Sequence, residues 1–269
     1  MRPSGSFNPQ IFLETLCSAA FALLLLYLIR SGAYLNYVTP RLKPYLYFAA
    51  AIMLIWAIGG ALRLRLPRRR PRGAHCLVLA APLLLFLLPH APLTSADLSW
   101  SYVPGASAAA LPSSAVPAPA LALDAVSGSA DFSAAADSTA APPGADATDK
   151  TIVVADDYFY PWLNELYANM DMYEGWRIYL TGFVFKDPEV FQADEFMTSR
   201  LGMSCCVADL VPYGLICRSD GAAALEANSW ITIEGVIHAT EYDGWPEPQI
   251  TVTGVAAAQE IPGYIYPFG

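Results

Sequence analysis

The stretch IFLETLCSAAFALLLLYLI, residues 11–29, decides the architecture of the N-terminal third of the chain. Its side chains are almost all apolar, with one acid, Glu14, near the start. About 20 such residues in helical form cover the roughly 30 Å of hydrocarbon in a bilayer. Inside lipid a backbone must satisfy its own N–H and C=O groups, so the run predicts a membrane-spanning α-helix. Two further runs, residues 45–62 and 74–91, read the same way, Pro82 in the last being tolerable in a membrane helix. Residues 1–92 are therefore expected to form a transmembrane region of three α-helices in contact with the lipid bilayer.

Charge orients these helices. Arg63, Arg65, Arg68, Arg69, Arg70 and Arg72 lie between the second and third runs, against Arg30, Arg41 and Lys43 between the first and second. The larger basic cluster stays in the cytoplasm. A multi-pass cell-membrane protein follows, with a cytoplasmic N-terminus and an extracytoplasmic C-terminal part. The lack of Lys and Arg between Gly73 and Asp149 agrees with translocation of that segment. No small-x-small site follows Ala91, so the third run is read as retained rather than cleaved. Glu14-Thr15-Leu16 ahead of Cys17 makes a poor lipobox. None of the three runs has a charged residue at its centre, where a transport path usually shows one. They suit an anchor, or a packing surface for a larger partner, better than a pore.

Residues 93–150 are expected to be a disordered linker. From about Ser101 to Asp149 they are mostly Ala, Ser, Pro, Gly and Asp, with prolines at 104, 112, 117, 119, 142 and 143. Such a composition cannot bury enough apolar surface to offset the entropy of ordering. Residues 151–269 then read as a soluble extracytoplasmic domain. Five basic residues from Lys150 onward face seventeen acidic ones, in a chain of net charge −9. That imbalance repels phosphate backbones and argues against a nucleic-acid partner.

Within the domain, Thr151–Val154 reads as a short strand. Asp156 and Asp157 precede a helical pattern over Tyr158–Met172, with Pro161 in its first turn and Gly175 as a stop. Strands are expected over Trp176–Phe185, Phe196–Cys206, Tyr213–Cys217, Trp230–His238 and Gln249–Gln259, the second and third of these joined by a turn around Asp209–Pro212. About five strands and one helix make an α+β domain dominated by a small β-barrel, of the oligonucleotide-binding (OB-like) type, with a β-sandwich as the alternative. Tyr158, Phe159, Tyr160, Trp162, Tyr167 and Tyr173 are expected to supply most of their area to the core.

Cysteine carries the candidate chemistry. Cys205 and Cys206 are adjacent, and Asp209 follows within a short turn. Two thiolates and a carboxylate suit zinc or another soft metal or metalloid ion. On a hairpin, Cys217 would lie opposite Cys205 or Cys206, as another ligand or as a disulfide partner in an oxidising compartment. His238, on a later strand, is a further candidate ligand. The competing reading is that these cysteines are small core residues. No phosphate-binding loop, dinucleotide fingerprint, HExxH or nucleophile elbow occurs, so no enzyme is expected.

The run Gly182-Phe183-Val184-Phe185, then Arg200, Met203, Ser204-Cys205-Cys206-Val207-Ala208-Asp209, Pro212 and Gly214, then Trp230, Gly235, Pro248 and Tyr264-Ile265-Tyr266-Pro267 resembles the YcgQ-like permease-subunit family. The resemblance covers residues 152–267 in motif and the first 90 in layout. It implies a bacterial membrane protein that works beside a multi-spanning permease. The expectation is an accessory permease subunit for a metal or metalloid ion. The alternatives are an extracytoplasmic thiol-redox or sensing protein and a purely structural domain of a membrane complex.

Overall fold

A computed structural model describes residues 9–63, 81–86, 92–97, 141–242 and 244–267. The chain divides into two compact units. One holds the N-terminal helices and, from far along the chain, Met203–Leu210; the other holds Ser95–Gly202 and Val211–Pro267.

In the first unit, helix α1 runs Pro9–Ser31 and helix α2 Lys43–Arg63. At 1.5 Å per residue each is a little over 30 Å long, about the hydrocarbon thickness. The spans Ile11–Ser31 and Pro40–Arg63 have mean hydropathies of 2.1 and 1.9, and both are long and apolar enough to cross a membrane. Small side chains line their contact: Ser18, Ala22, Ala50 and Ala57 are all buried. At Gly60 the backbones come so close that an added Cβ would lie 2.2 Å from Thr15 Oγ1. Small residues of this kind are what allow apolar helices to pack in lipid. The hydroxyls involved are satisfied within α1, Thr15 donating to Ile11 O at 2.7 Å and Ser18 to Glu14 O at 2.8 Å. Leu23, Tyr27, Phe48, Ile55, Trp56 and Leu62 are exposed on the outside of the pair. The third expected helix, 74–91, lies mostly outside the described residues, and its piece 81–86 is helical.

The second unit is a mixed sheet with one α-helix. Its strands are β1 (Ala145–Asp146), β2 (Thr151–Val153), β3 (Arg177–Phe185), β4 (Glu195–Gly202), β5 (Val211–Arg218), β6 (Trp230–Tyr242) and β7 (Trp245–Ala257). The order is β1-β2-β3-β4-β5-β7-β6, and β3 also pairs with β6. The β2–β3 and β5–β7 contacts are parallel and the others antiparallel. Helix α3, Phe159–Ala168, buries Phe159, Trp162, Leu163 and Leu166 against the sheet, where Ile178, Leu180, Phe196 and Ile233 meet it. Each such side chain contributes roughly 1.5–3 kcal/mol of burial.

Several expectations need correction. The domain begins before residue 151, because β1 pairs with β2 and Trp162 Nε1 donates to Pro143 O at 2.9 Å. Two short hydrogen-bonded pairs and a buried indole order a segment whose composition reads as linker. The rest of that segment, 98–140, lies outside the described residues. The strand expected over Phe196–Cys206 ends at Gly202, which pairs with Val211. Residues 203–210 are a loop, longer than the expected turn around Asp209–Pro212. β6 and β7 form one long hairpin whose turn uses Gly244 at φ 79°, a conformation glycine adopts without strain.

Candidate functional site

The loop between β4 and β5 carries the cysteine pair. At its entrance the C-terminal segment pins β4, with Ile265 N–H donating to Leu201 O at 2.9 Å and Ile265 bridging Gly202. The loop ends in a single helical turn, Val207–Asp209. Asp209 folds back over it: Oδ1 accepts the Ser204 N–H at 3.1 Å and Oδ2 the Cys205 N–H at 2.7 Å. The Asp209 N–H itself donates to Cys206 O at 2.9 Å. An Asp side chain serving its neighbours' amides is a common way to fix a short turn.

The thiols of Cys205 and Cys206 lie 3.6 Å apart, Cys205 donating to Cys206, and both are free. Cys205 is exposed and Cys206 half-buried. The Asp209 carboxylate, and next the Cys206 sulfur, disfavour the Cys205 thiolate and push its pKa up to about 12. For Asp209 burial acts upward. The Cys205 thiol and the amides of Cys205, Ser204 and Cys206 outweigh it, and the carboxyl titrates below its ordinary value. The resting pair at neutral pH is thus a carboxylate facing a protonated thiol.

The same unit supplies a second support. Thr39 N–H donates to Cys205 O at 3.2 Å and Val207 N–H to Tyr37 O at 2.9 Å, with Val38 and Cys206 forming an antiparallel bridge. Residues 37–39 belong to the connection between α1 and α2. An open, largely apolar cavity of about 560 Å3 adjoins this bridge, lined by Tyr37 and Val207 together with Leu24, Leu28, Leu85 and Phe86.

The other candidate ligands are engaged elsewhere. Cys217 sits in β5 opposite Phe196, not opposite either member of the pair. It is fully buried, and that burial pushes its thiol up to about 12 despite bonding with Thr198. Its Sγ donates to Leu215 O at 3.3 Å and lies 3.3 Å from Thr198 Oγ1. The expected opposition fails because the strand stops at Gly202 and the register is set by the apolar faces of β4 and β5. His238 lies in β6, with Nδ1 3.0 Å from Glu174 Oε1. Glu174 also accepts the Ala239 N–H, the main reason its carboxyl is held below the ordinary value. Among the described residues no group of three or more His, Cys, Asp or Glu side chains is placed to hold a metal ion. What the loop offers is two sulfurs, with Asp209 occupied as their support.

The part of the site that sequence reading missed is Tyr37–Thr39. Those residues stand out only as neighbours of Arg41 and Lys43, and no local pattern announces a bridge to a loop more than 160 positions away. The aromatic set behaves as core, with Phe159, Tyr160, Trp162 and Tyr173 buried. Tyr167 bonds to the buried Glu247, and Tyr158 is exposed.

A hairpin of two helices able to cross a membrane, joined to a mixed-sheet domain that displays a vicinal thiol pair, defines the class of protein. The chain belongs to the DUF1980 family: the DUF1980 N-terminal domain matches residues 13–103 and the DUF1980 C-terminal domain residues 132–267. No curated protein and no solved structure matches the chain.

Proposed function

We propose that the chain is an accessory subunit of a membrane permease handling a soft metal or metalloid ion, and that Cys205 and Cys206 form an open chelate for that ion. The observation that carries this reading is the 3.6 Å separation of two accessible thiols. A tetrahedral ion with metal–sulfur bonds near 2.3 Å sets its sulfurs about 3.8 Å apart, so the pair is close to chelating geometry as it stands. A permanent structural zinc site would add two more ligands. A site with positions left for water or a partner's groups suits capture and transfer instead. The resemblance to the YcgQ-like permease-subunit family supplies the multi-spanning partner.

The thiol-redox alternative is weaker for a geometric reason. Neighbouring Cα atoms lie about 3.8 Å apart across a trans peptide. Unstrained disulfides need about 4.4–6.8 Å. Closing Cys205 to Cys206 would therefore strain the loop, and Cys217 is occupied in the core.

The bridge at residues 37–39 also supports the multi-pass topology. On that topology Met203–Leu210, which leads from β4 to β5, shares the side of the α1–α2 connection. Helix α2 ends at Arg63 on the opposite side. The reading takes 74–91, the apolar run available, as one more crossing between these points. The arginine cluster at 63–72 assigns that opposite side to the cytoplasm, giving a cytoplasmic N-terminus and an extracytoplasmic domain. The circuit of pairings β3–β4–β5–β7–β6–β3, with its parallel β5–β7 contact, supports a closed barrel of the oligonucleotide-binding type. The domain's acid excess supports a function without nucleic acid, and we assign it no catalytic step.

The test is titration of the reduced, full-length protein with zinc and with copper(I), beside Cys205→Ser/Cys206→Ser. Loss of binding in the double variant, with reduced ion flux in cells carrying it, is expected. Equal binding by both proteins would leave the cysteines structural and remove the ion from this reading.

A further inference from the structure

Two neighbouring side chains on a regular extended backbone point to opposite faces. Cys206 is extended, at φ −153° and ψ 169°. Thiols 3.6 Å apart therefore depend on how the peptide of Cys205 is held. Both of its polar groups are tied. The N–H goes to Asp209 Oδ2 at 2.7 Å. The C=O accepts from Thr39 N–H at 3.2 Å. On the far side of Cys206, Val207 N–H is fixed to Tyr37 O at 2.9 Å. Thr39 itself is buried, and it leads directly into the turn Pro40–Leu42 that opens α2.

We infer that Tyr37–Thr39 are positioning residues of the Cys205–Cys206 site: the connection between the two membrane helices forms half of its scaffold, so the site is complete only in the full chain. This rests on the ion-binding reading above. Asp209 fixes the N–H side of the Cys205 backbone and the connection between the two helices its C=O side. Without the second bond the peptide can turn and the thiols part. Linkage makes the effect reciprocal: a shift of the helix hairpin changes ion affinity, and a bound ion favours one arrangement of the connection. An accessory subunit gains from this arrangement a route from its ion site to the membrane helices.

Proline tests the inference at atoms rather than side chains. Thr39 already has φ −67°, the value a proline ring imposes, so Thr39→Pro deletes the N–H that reaches Cys205 while keeping that backbone angle. Val207 is the first residue of its helical turn, where proline is well accepted, and extended Cys206 precedes it as a pre-proline residue should. Val207→Pro deletes the other bond, so either variant suffices if one fails to fold. Thr39→Ala and Val207→Ala keep the N–H groups. Full-length reduced protein in bilayer discs is titrated with copper(I) and with zinc. Each proline variant is expected to bind roughly three- to tenfold more weakly, the value of one hydrogen bond, with the alanine variants as wild type. Wild-type affinity in both proline variants, or equal weakening by alanine, overturns the positioning role while leaving the ion site in place. Absence of binding by the wild-type chain overturns both readings.

Discussion

Asp209 accepts the Cys205 backbone N–H at 2.7 Å, and its carboxylate beside the Cys205 thiol is the largest cause that raises that thiol's pKa. This explains why an exposed thiol is kept protonated, and it makes Asp209 the control on Cys205 reactivity. Thiolate, not thiol, attacks electrophiles. Replacing the carboxylate by an amide removes the negative charge that opposes ionisation. Asp209→Asn is therefore expected to lower the Cys205 pKa toward the ordinary thiol range. Labelling of Cys205 by a maleimide at pH 8 should accelerate by about tenfold or more. An unchanged or slower rate would show that the carboxylate does not set the thiol's ionisation.

The same proton makes ion binding depend steeply on pH. A soft cation takes thiolate, so it must displace a proton that stays on Cys205 up to about 12. Neutral pH lies far below that value, and affinity should rise throughout pH 6–9, about tenfold per unit for each proton released. Titrations at several pH values give the slope of log affinity. A slope near zero would mean that oxygen ligands, not these sulfurs, bind the ion.

Cys217 separates core from site. Its thiol is enclosed between β4 and β5, with Thr198 and Leu215 as partners. Cys217→Ala removes one buried sulfur from a packed interior and should cost about 1–2 kcal/mol in denaturant unfolding. Ion affinity should be unaffected. A loss of binding at unchanged stability would return Cys217 to the list of ligands.

How much of this could be read from sequence depended on the range of the interactions. The helices are written in local composition, so α1 and α2 fall where the apolar runs do. The strands are written in alternation, and β3, β5 and β6 lie close to their expected spans. What local pattern does not contain is pairing. Phe196–Cys206 reads as one strand because its β-forming residues continue past Gly202. Only the register with β5 and the bond from Ile265 to Leu201 stop it there. That end point turned Cys205–Cys206 from strand residues into loop residues and parted them from Cys217. The Asp-Gly pair at 243–244, by contrast, is a hairpin signal in the sequence, and β6 and β7 do pair as a hairpin. Arg200 stands among the residues that carry the family resemblance, and its place is internal: it lies over the Phe159 ring at 5.7 Å and 3.7 Å from Asp156.

Close helix packing at Gly60 allows a cycle. An added Cβ would fall 2.2 Å from Thr15 Oγ1, the end of a side chain held by Ile11 O. Gly60→Ala alone should weaken the α1–α2 contact. Thr15→Ala/Gly60→Ala should recover most of the loss, since the obstructing hydroxyl is gone. Unfolding in mixed detergent, read by helical circular dichroism, measures both. Failure of the second substitution to compensate would place the strain of Gly60→Ala elsewhere in the hairpin.

The last prediction concerns sidedness and follows from one hydrogen bond. Thr39 N–H reaches Cys205 O, so on the proposed topology the α1–α2 connection and the β4–β5 loop share one compartment. Two crossings alone would put a domain that follows α2 on the side of the N-terminus, away from that connection. The proposed topology, with the apolar run at 74–91 as one further crossing between Arg63 and the domain, agrees with that bond. In that proposal the six arginines from 63 to 72 mark the cytoplasmic face. In intact cells, a membrane-impermeant maleimide should label Asn36→Cys and native Cys205 alike. Arg68→Cys should react only after the membrane is opened. Labelling of Asn36→Cys and Cys205 from opposite sides would break the bridge, the third crossing and the positioning role of Tyr37–Thr39 together. Labelling of both only after opening would keep the bridge and invert the orientation.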